Sequence, residues 1–243
     1  MVHMHKFIIG IRPSTKMFRI QSIGGQVVDA VLDLRGSSVI PDDFYTKVSN
    51  NTDGMRYQIH SEDFSNVLMI DRENIVFIKD TFSSGEEIDV SKSLREFTEI
   101  WKALDLVTRV RGIRRIGIAA EHLLEYENPS AELIRNLTKI EPPPHTGKFY
   151  LKYEDRRPTR ESISPDIEKD DYINVIISAY DSILDVDHKE PGTANVNIDV
   201  QRYFQPLLNK LSYNDFEKIL KHFSREREGM FQKLAALGIT TDE

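Results

Sequence analysis

Apolar and polar residues alternate with a period of two over much of the chain, and in a few longer windows the period shifts toward 3.6. His5–Arg12 opens the chain as a strand. In Met55–Ser61, Met55, Tyr57 and Ile59 share one face of a second strand. Asn66–Asp80 holds two apolar runs around the polar Asp71–Asn74, the pattern of a β-hairpin. From Ser91 to Leu106, the residues Leu94, Phe97, Trp101 and Leu104 recur at helical spacing and predict one apolar stripe. Ser93 and Glu96 there have the spacing of a capping box. A short helix is expected at Pro41–Val48, with proline in its first turn. Ser22–Ser38 fits a strand or a helix equally.

The second part of the chain follows a similar order. Arg114–Leu124 alternates as a strand, and Asn128–Ile140 predicts a helix. Lys148–Glu154 alternates again, and Asp155–Asp171 is a charged loop. Tyr172–Asp187 is β-rich and is expected to pair with Asn195–Val200. The last helix has a capping box at Ser212 and Asp215, a stripe from Phe216 to Leu237, and Gly238 suited to its end. Strands grouped in hairpins, with helices between the groups, predict an α+β fold of antiparallel sheets with packed helices. The proline-rich Glu141–Gly147 marks a boundary between two similar sheet-and-helix halves. These halves are residues 1–140 and residues 147–243, the latter carrying the long terminal helix.

Composition narrows the classes of function. With 243 residues, 40% hydrophobic and 29% charged, the chain reads as a globular protein with room for a large core. No apolar run is long enough for a membrane-spanning helix, and no secretory leader is recognised, so a cytoplasmic location is expected. The absence of cysteine excludes disulfides, thiolate metal sites and a cysteine nucleophile. A net charge of −7 disfavours general nucleic-acid binding, which depends on phosphate neutralisation by Lys and Arg. No cofactor-binding motif is present, neither a phosphate-binding loop nor a nucleophile elbow, and no cofactor is expected.

Three groups of residues carry candidate chemistry. Arg109, Arg111, Arg114 and Arg115 crowd one short run, and guanidinium groups bind phosphate or carboxylate in bidentate fashion. Solvation of a helix-to-strand turn explains the same run. On the strand that follows, Ile116, Ile118, Ala120, His122 and Leu124 form an apolar face. Gly117 and Ala119 leave the other face nearly bare, between Arg115 and Glu121. A bare strand face means that something approaches the backbone closely. That is either a helix of the same chain or a partner, and Gly117, Ala119 and Glu121 are the candidate packing residues. Finally, Asp185, Asp187 and Asp199, with His188 at a turn, are oxygen donors of the kind a hard divalent cation takes. Acidic residues at hairpin ends are ordinary turn chemistry, and neither a calcium-loop glycine nor a second matched cluster accompanies these.

At Arg114–Leu124 the chain resembles a large, sporadically distributed family of uncharacterised bacterial proteins of about this length. Members carry an Arg–apolar–Gly–apolar strand, matched by Arg115, Ile116, Gly117 and Ile118. They reach it through a helix that follows a β-hairpin, matched by Ser93–Leu104. A later Leu–Asp–apolar–Asp segment is matched by Leu184, Asp185, Val186 and Asp187, and the closing helix is similar to Asp215–Phe223. The family strand continues with Arg–Tyr and then Asn, where this chain has Ala119, Ala120 and His122. The resemblance implies the fold and no established activity. The expected function is a non-enzymatic binding or regulatory protein acting through a protein partner or self-association, inside a bacterial multi-protein or defence-type system. The alternatives are a metal-assisted hydrolase or nuclease-like enzyme, and a nucleic-acid or nucleotide binder through the arginines.

Overall fold

A computed structural model describes residues 2–51, 55–125, 129–138, 140–142, 148–159, 171–181 and 193–235. The elements follow in chain order: β1 (Val2–Pro13), α1 (Ile20–Leu32), β2 (Lys47–Asn50), β3 (Tyr57–His60), β4 (Asn66–Ile70), β5 (Ile75–Asp80) and α2 (Val90–Thr108). Then come β6 (Ile113–Glu125), α3 (Pro129–Thr138), β7 (Tyr150–Pro158), β8 (Tyr172–Asp181), β9 (Thr193–Leu208) and α4 (Tyr213–Ala235). The nine strands form one antiparallel sheet in the order β2-β3-β4-β5-β1-β6-β9-β8-β7. The α+β reading holds. In place of separate sheets there is a single continuous one, because β6 pairs with β1 on one side and β9 on the other.

Alternation along the central strands divides the sheet into two faces. Phe7, Ile9 and Ile11 of β1, Ile116, Ile118 and Ala120 of β6, and Val196, Ile198 and Val200 of β9 are buried. The helices lie on that face. Phe97 of α2 sits 5.7 Å from Phe77 and 5.4 Å from Phe216 of α4, and Phe223 of α4 lies 6.1 Å from Phe7. Gly24 of α1 packs on Tyr57, and Leu133 of α3 belongs to the same core. No described helix is long and apolar enough to cross a membrane.

Several local expectations are settled by packing. Ser22–Ser38 begins as helix because Ile20, Ile23, Val27 and Val31 make a buried stripe at spacings of three and four. The helix expected at Pro41–Val48 does not form. A turn with Phe44 N–H donating to Pro41 O sends Phe44 and Tyr45 into the core, and the chain continues as β2. The cap of α2 is Asp89, whose side chain accepts from Lys92 N–H at 2.8 Å. Ser93 and Glu96 therefore lie inside the helix, and Glu96 pairs with Lys79 of β5 at 2.6 Å. At α4 the expected box is present, with Ser212 N–H and Oγ both donating to Asp215 Oδ2.

Candidate functional site

Among the described residues, no helix covers the centre of the second face of the sheet, where Gly10, Gly117 and Ala119 are half-buried. Gly10 of β1 stands opposite Gly117 of β6, and Ile9 and Ile11 stand opposite Ile118 and Ile116. The same Ile-Gly-Ile triplet thus crosses itself at the middle of the sheet. A Cβ at Gly10 would meet nothing within 4 Å, and one at Gly117 would make ordinary contacts with Gln201 Cγ at 3.4 Å, Val200 O at 3.5 Å and Asp199 Oδ1 at 3.8 Å. Among the described residues, steric need therefore does not explain these glycines. With Ala119 they floor a depression of ≈ 220 Å³. Val76 and Asn74 wall one side; Arg115, Asp199 and Gln201 wall the other.

The second wall comes from β9. Its sequence, Asn195-Val-Asn197-Ile-Asp199-Val-Gln201, alternates polar with apolar, so burial of the valines and isoleucine turns the polar ladder to the uncovered face. Register sets Gln201 beside Gly117, Asp199 beside Ala119 and Asn197 beside Glu121. Gln201 Nε2 donates to Asp199 Oδ2 at 2.6 Å, and Arg115 Nη1 donates to Gln201 Oε1 at 3.2 Å. The arginine also donates to Tyr203 Oη at 3.2 Å, and Tyr203 stacks on Tyr172 with ring centroids 4.5 Å apart. Burial raises the Asp199 carboxyl above its ordinary value, opposed by the bond from Gln201 and the charge of Arg115. Asn197 Oδ1 is buried with no hydrogen-bond partner among the described residues. Beyond it, Lys6 links Asp80 at 3.3 Å and Glu121 at 4.0 Å.

The sequence candidates meet here only in part. Arg115, Gly117, Ala119 and Glu121 share the uncovered face with Asp199. The other three arginines point elsewhere. Arg109 closes α2 in the left-handed conformation (φ 49°), and Arg111 is exposed in the α2–β6 turn. Arg114 donates to Gln205 Oε1 at 3.0 Å. Asp185, Asp187 and His188 lie outside the described residues. Among those described, no three His, Asp or Glu side chains converge to hold a metal ion. Sequence reasoning missed Gly10, Gln201 and Tyr203. The repeated Ile-Gly-Ile triplet and the strict polar alternation of β9 were the available signals. No protein-family model and no curated protein matches the chain.

Arranged this way, the site offers donors, acceptors and reachable backbone on a flat surface. That suits a broad partner able to lay an extended segment or a sheet surface over β1, β6 and β9.

Proposed function

We propose that the chain is a non-enzymatic binding or regulatory protein that acts through a protein partner seated on the uncovered sheet face. The observation that supports this most is the bare Gly10–Gly117–Ala119 floor beside the polar ladder of β9. A face that the chain's own helices leave uncovered, floored by small residues, lets another backbone approach closely. The partner supplies hydrogen-bond donors for Asp199 and Asn197. Where it is a different protein, it carries net positive charge, since a chain of net charge −7 steers basic partners toward encounter. A second copy of the chain is the other occupant this reading allows. Membership in the bacterial family that the Arg115–Ile118 strand resembles, with a role in a multi-protein system, belongs to the same proposal, as does the similarity of the two sheet-and-helix halves.

Ala119→Arg tests it. The long side chain fills the depression without entering the core, so the melting temperature should stay within about 2 °C of the parent, as for surface changes in general. Partner recovery by the immobilised chain, or self-association in a sizing experiment, should weaken by about tenfold or more. Equal recovery by both proteins, or a strict monomer that retains no partner, would overturn the reading.

A further inference from the structure

We propose that a second site, between the β1–α1 loop and the α2–β6 turn, binds a nucleoside diphosphate. The two segments enclose a depression of ≈ 450 Å³, within the range of small-ligand pockets. Its rim carries Lys16, Arg19, Arg109 and Arg111, and none of the residues lining it is acidic. Lys16 is neutralised by Glu73 at 2.7 Å. Among the described residues, nothing pairs with the guanidinium groups of Arg19, Arg109 and Arg111. Arg157, by contrast, is paired with both Glu226 and Asp155. Three guanidinium groups left unpaired around one concavity therefore point to an anion of more than one charge. A phosphomonoester carries about −1.5 to −2, and a diphosphate more, which matches the rim. Guanidinium groups bind phosphate oxygens in bidentate fashion.

The floor is apolar, formed by Met17, Ile20, Ile23 and Val110. Phe18 stands at its margin, 65% exposed, with the Arg72 guanidinium 5.1 Å from its ring centroid. Arg72 lies over that ring, and the exposed part of Phe18 is where a base would stack. An inorganic anion has no use for such a floor, whereas a nucleoside does.

The walls are held in place before any ligand arrives. Ser14 N–H donates to Gly112 O at 2.8 Å and Ser14 Oγ to Arg111 O at 3.4 Å, which ties the two segments together. Gly112 has φ +77° and lies so close to Ser14 that a Cβ would stand 2.7 Å from Ser14 Oγ. Met17 N–H donates to Arg72 O at 2.7 Å, which anchors the loop to the β4–β5 turn.

The site is separate from the uncovered sheet face, so either proposal can fail alone. Calorimetric titration of the full chain with ADP and GDP tests it, with adenosine and pyrophosphate as partial ligands. We expect ADP or GDP to bind and both partial ligands to bind at least about tenfold more weakly. Arg19→Ala and Arg111→Ala should each weaken the nucleotide by about tenfold or more, and Phe18→Ala should remove its advantage over pyrophosphate. Arg95→Ala, on the exposed side of α2, should bind as the parent does. Absence of heat with every ligand, parent-like affinity in Arg111→Ala, or equal affinity for pyrophosphate and ADP would overturn the proposal. So would tight binding of an oligonucleotide that ADP does not displace.

Discussion

Acidification should destabilise the fold through one side chain, His122, before most carboxylates are protonated. This residue is fully buried in β6 under α4. Its Nδ1–H donates to Val196 O at 3.2 Å, and its Nε2 accepts from Arg227 Nε–H at 3.2 Å. Phe231 packs against the ring at 4.9 Å. Burial, and then the Arg227 charge, push its pKa down from 6.5 to about 3. The unfolded chain thus binds a proton that the folded chain refuses. Stability is full above pH 6.5 and falls as the pH drops from there toward about 3. The slope is about 1.4 kcal/mol per pH unit, so roughly 2 kcal/mol is lost by about pH 5. Thermal or denaturant melts of the parent and His122→Gln across this range measure it. His5 and His222 are also lowered, first of all by burial, and they remain in both proteins, so the difference isolates His122. The parent's advantage over the variant should shrink as pH falls. Parallel curves would show that His122 is protonated without cost, and hence that α4 does not seal it.

The second large effect belongs to the buried pair of Lys79 and Glu96. Their side chains are only 16% and 1% exposed, and they meet at 2.6 Å. Lys79→Ala should cost about 3–5 kcal/mol, because it leaves a carboxylate buried without its counter-charge. Burial already raises the Glu96 carboxyl above its ordinary value, against the opposing bond and charge of Lys79. A raised acid costs the folded state stability as pH rises through the unfolded value toward the folded one. Removal of Lys79 raises it further, so the penalty should be greatest at neutral pH and relax in acid. Replacing both residues with methionine should recover most of the loss, because the desolvation cost disappears with the charges. Denaturant titration of the parent and the two variants decides this. A cost below about 1 kcal/mol for Lys79→Ala would mean that water reaches the pair and that it behaves as a surface bridge.

Periodicity identified most of the fold because burial acts on periodicity. The stripe of Leu94, Phe97, Trp101 and Leu104, the hairpin around Asp71–Asn74, and the cap at Ser212–Asp215 all depend on neighbours close in sequence. What failed depended on distant ones. Glu96 has capping-box spacing from Ser93, yet its partner is Lys79 on a separate strand. Phe44 and Tyr45 satisfy the core from a turn, and no local pattern distinguishes that from a helix. The joining of all strands into one sheet follows from β6 pairing with both β1 and β9, a choice between edges that alternation does not encode.

The candidate site was legible to the same extent. Gly117 and Ala119 marked a bare face from their own strand. That the face is uncovered, and that Asp199 and Gln201 wall it, emerges only when β9 lies beside β6. The four arginines look like one cluster in sequence. The turn at Arg109–Gly112 keeps Arg109 and Arg111 at one depression, and the strand that follows carries Arg114 and Arg115 to other parts of the surface.

Photo-crosslinking from the uncovered face tests the account most directly. A benzophenone amino acid placed at Ala119, and in a control at the exposed Lys221 of α4, would be irradiated in cells that express the full chain. We expect a discrete protein adduct from position 119, to a partner or to a second copy, and none of the same mass from position 221. No adduct at 119, or identical adducts from both positions, would contradict the assignment of binding to this face.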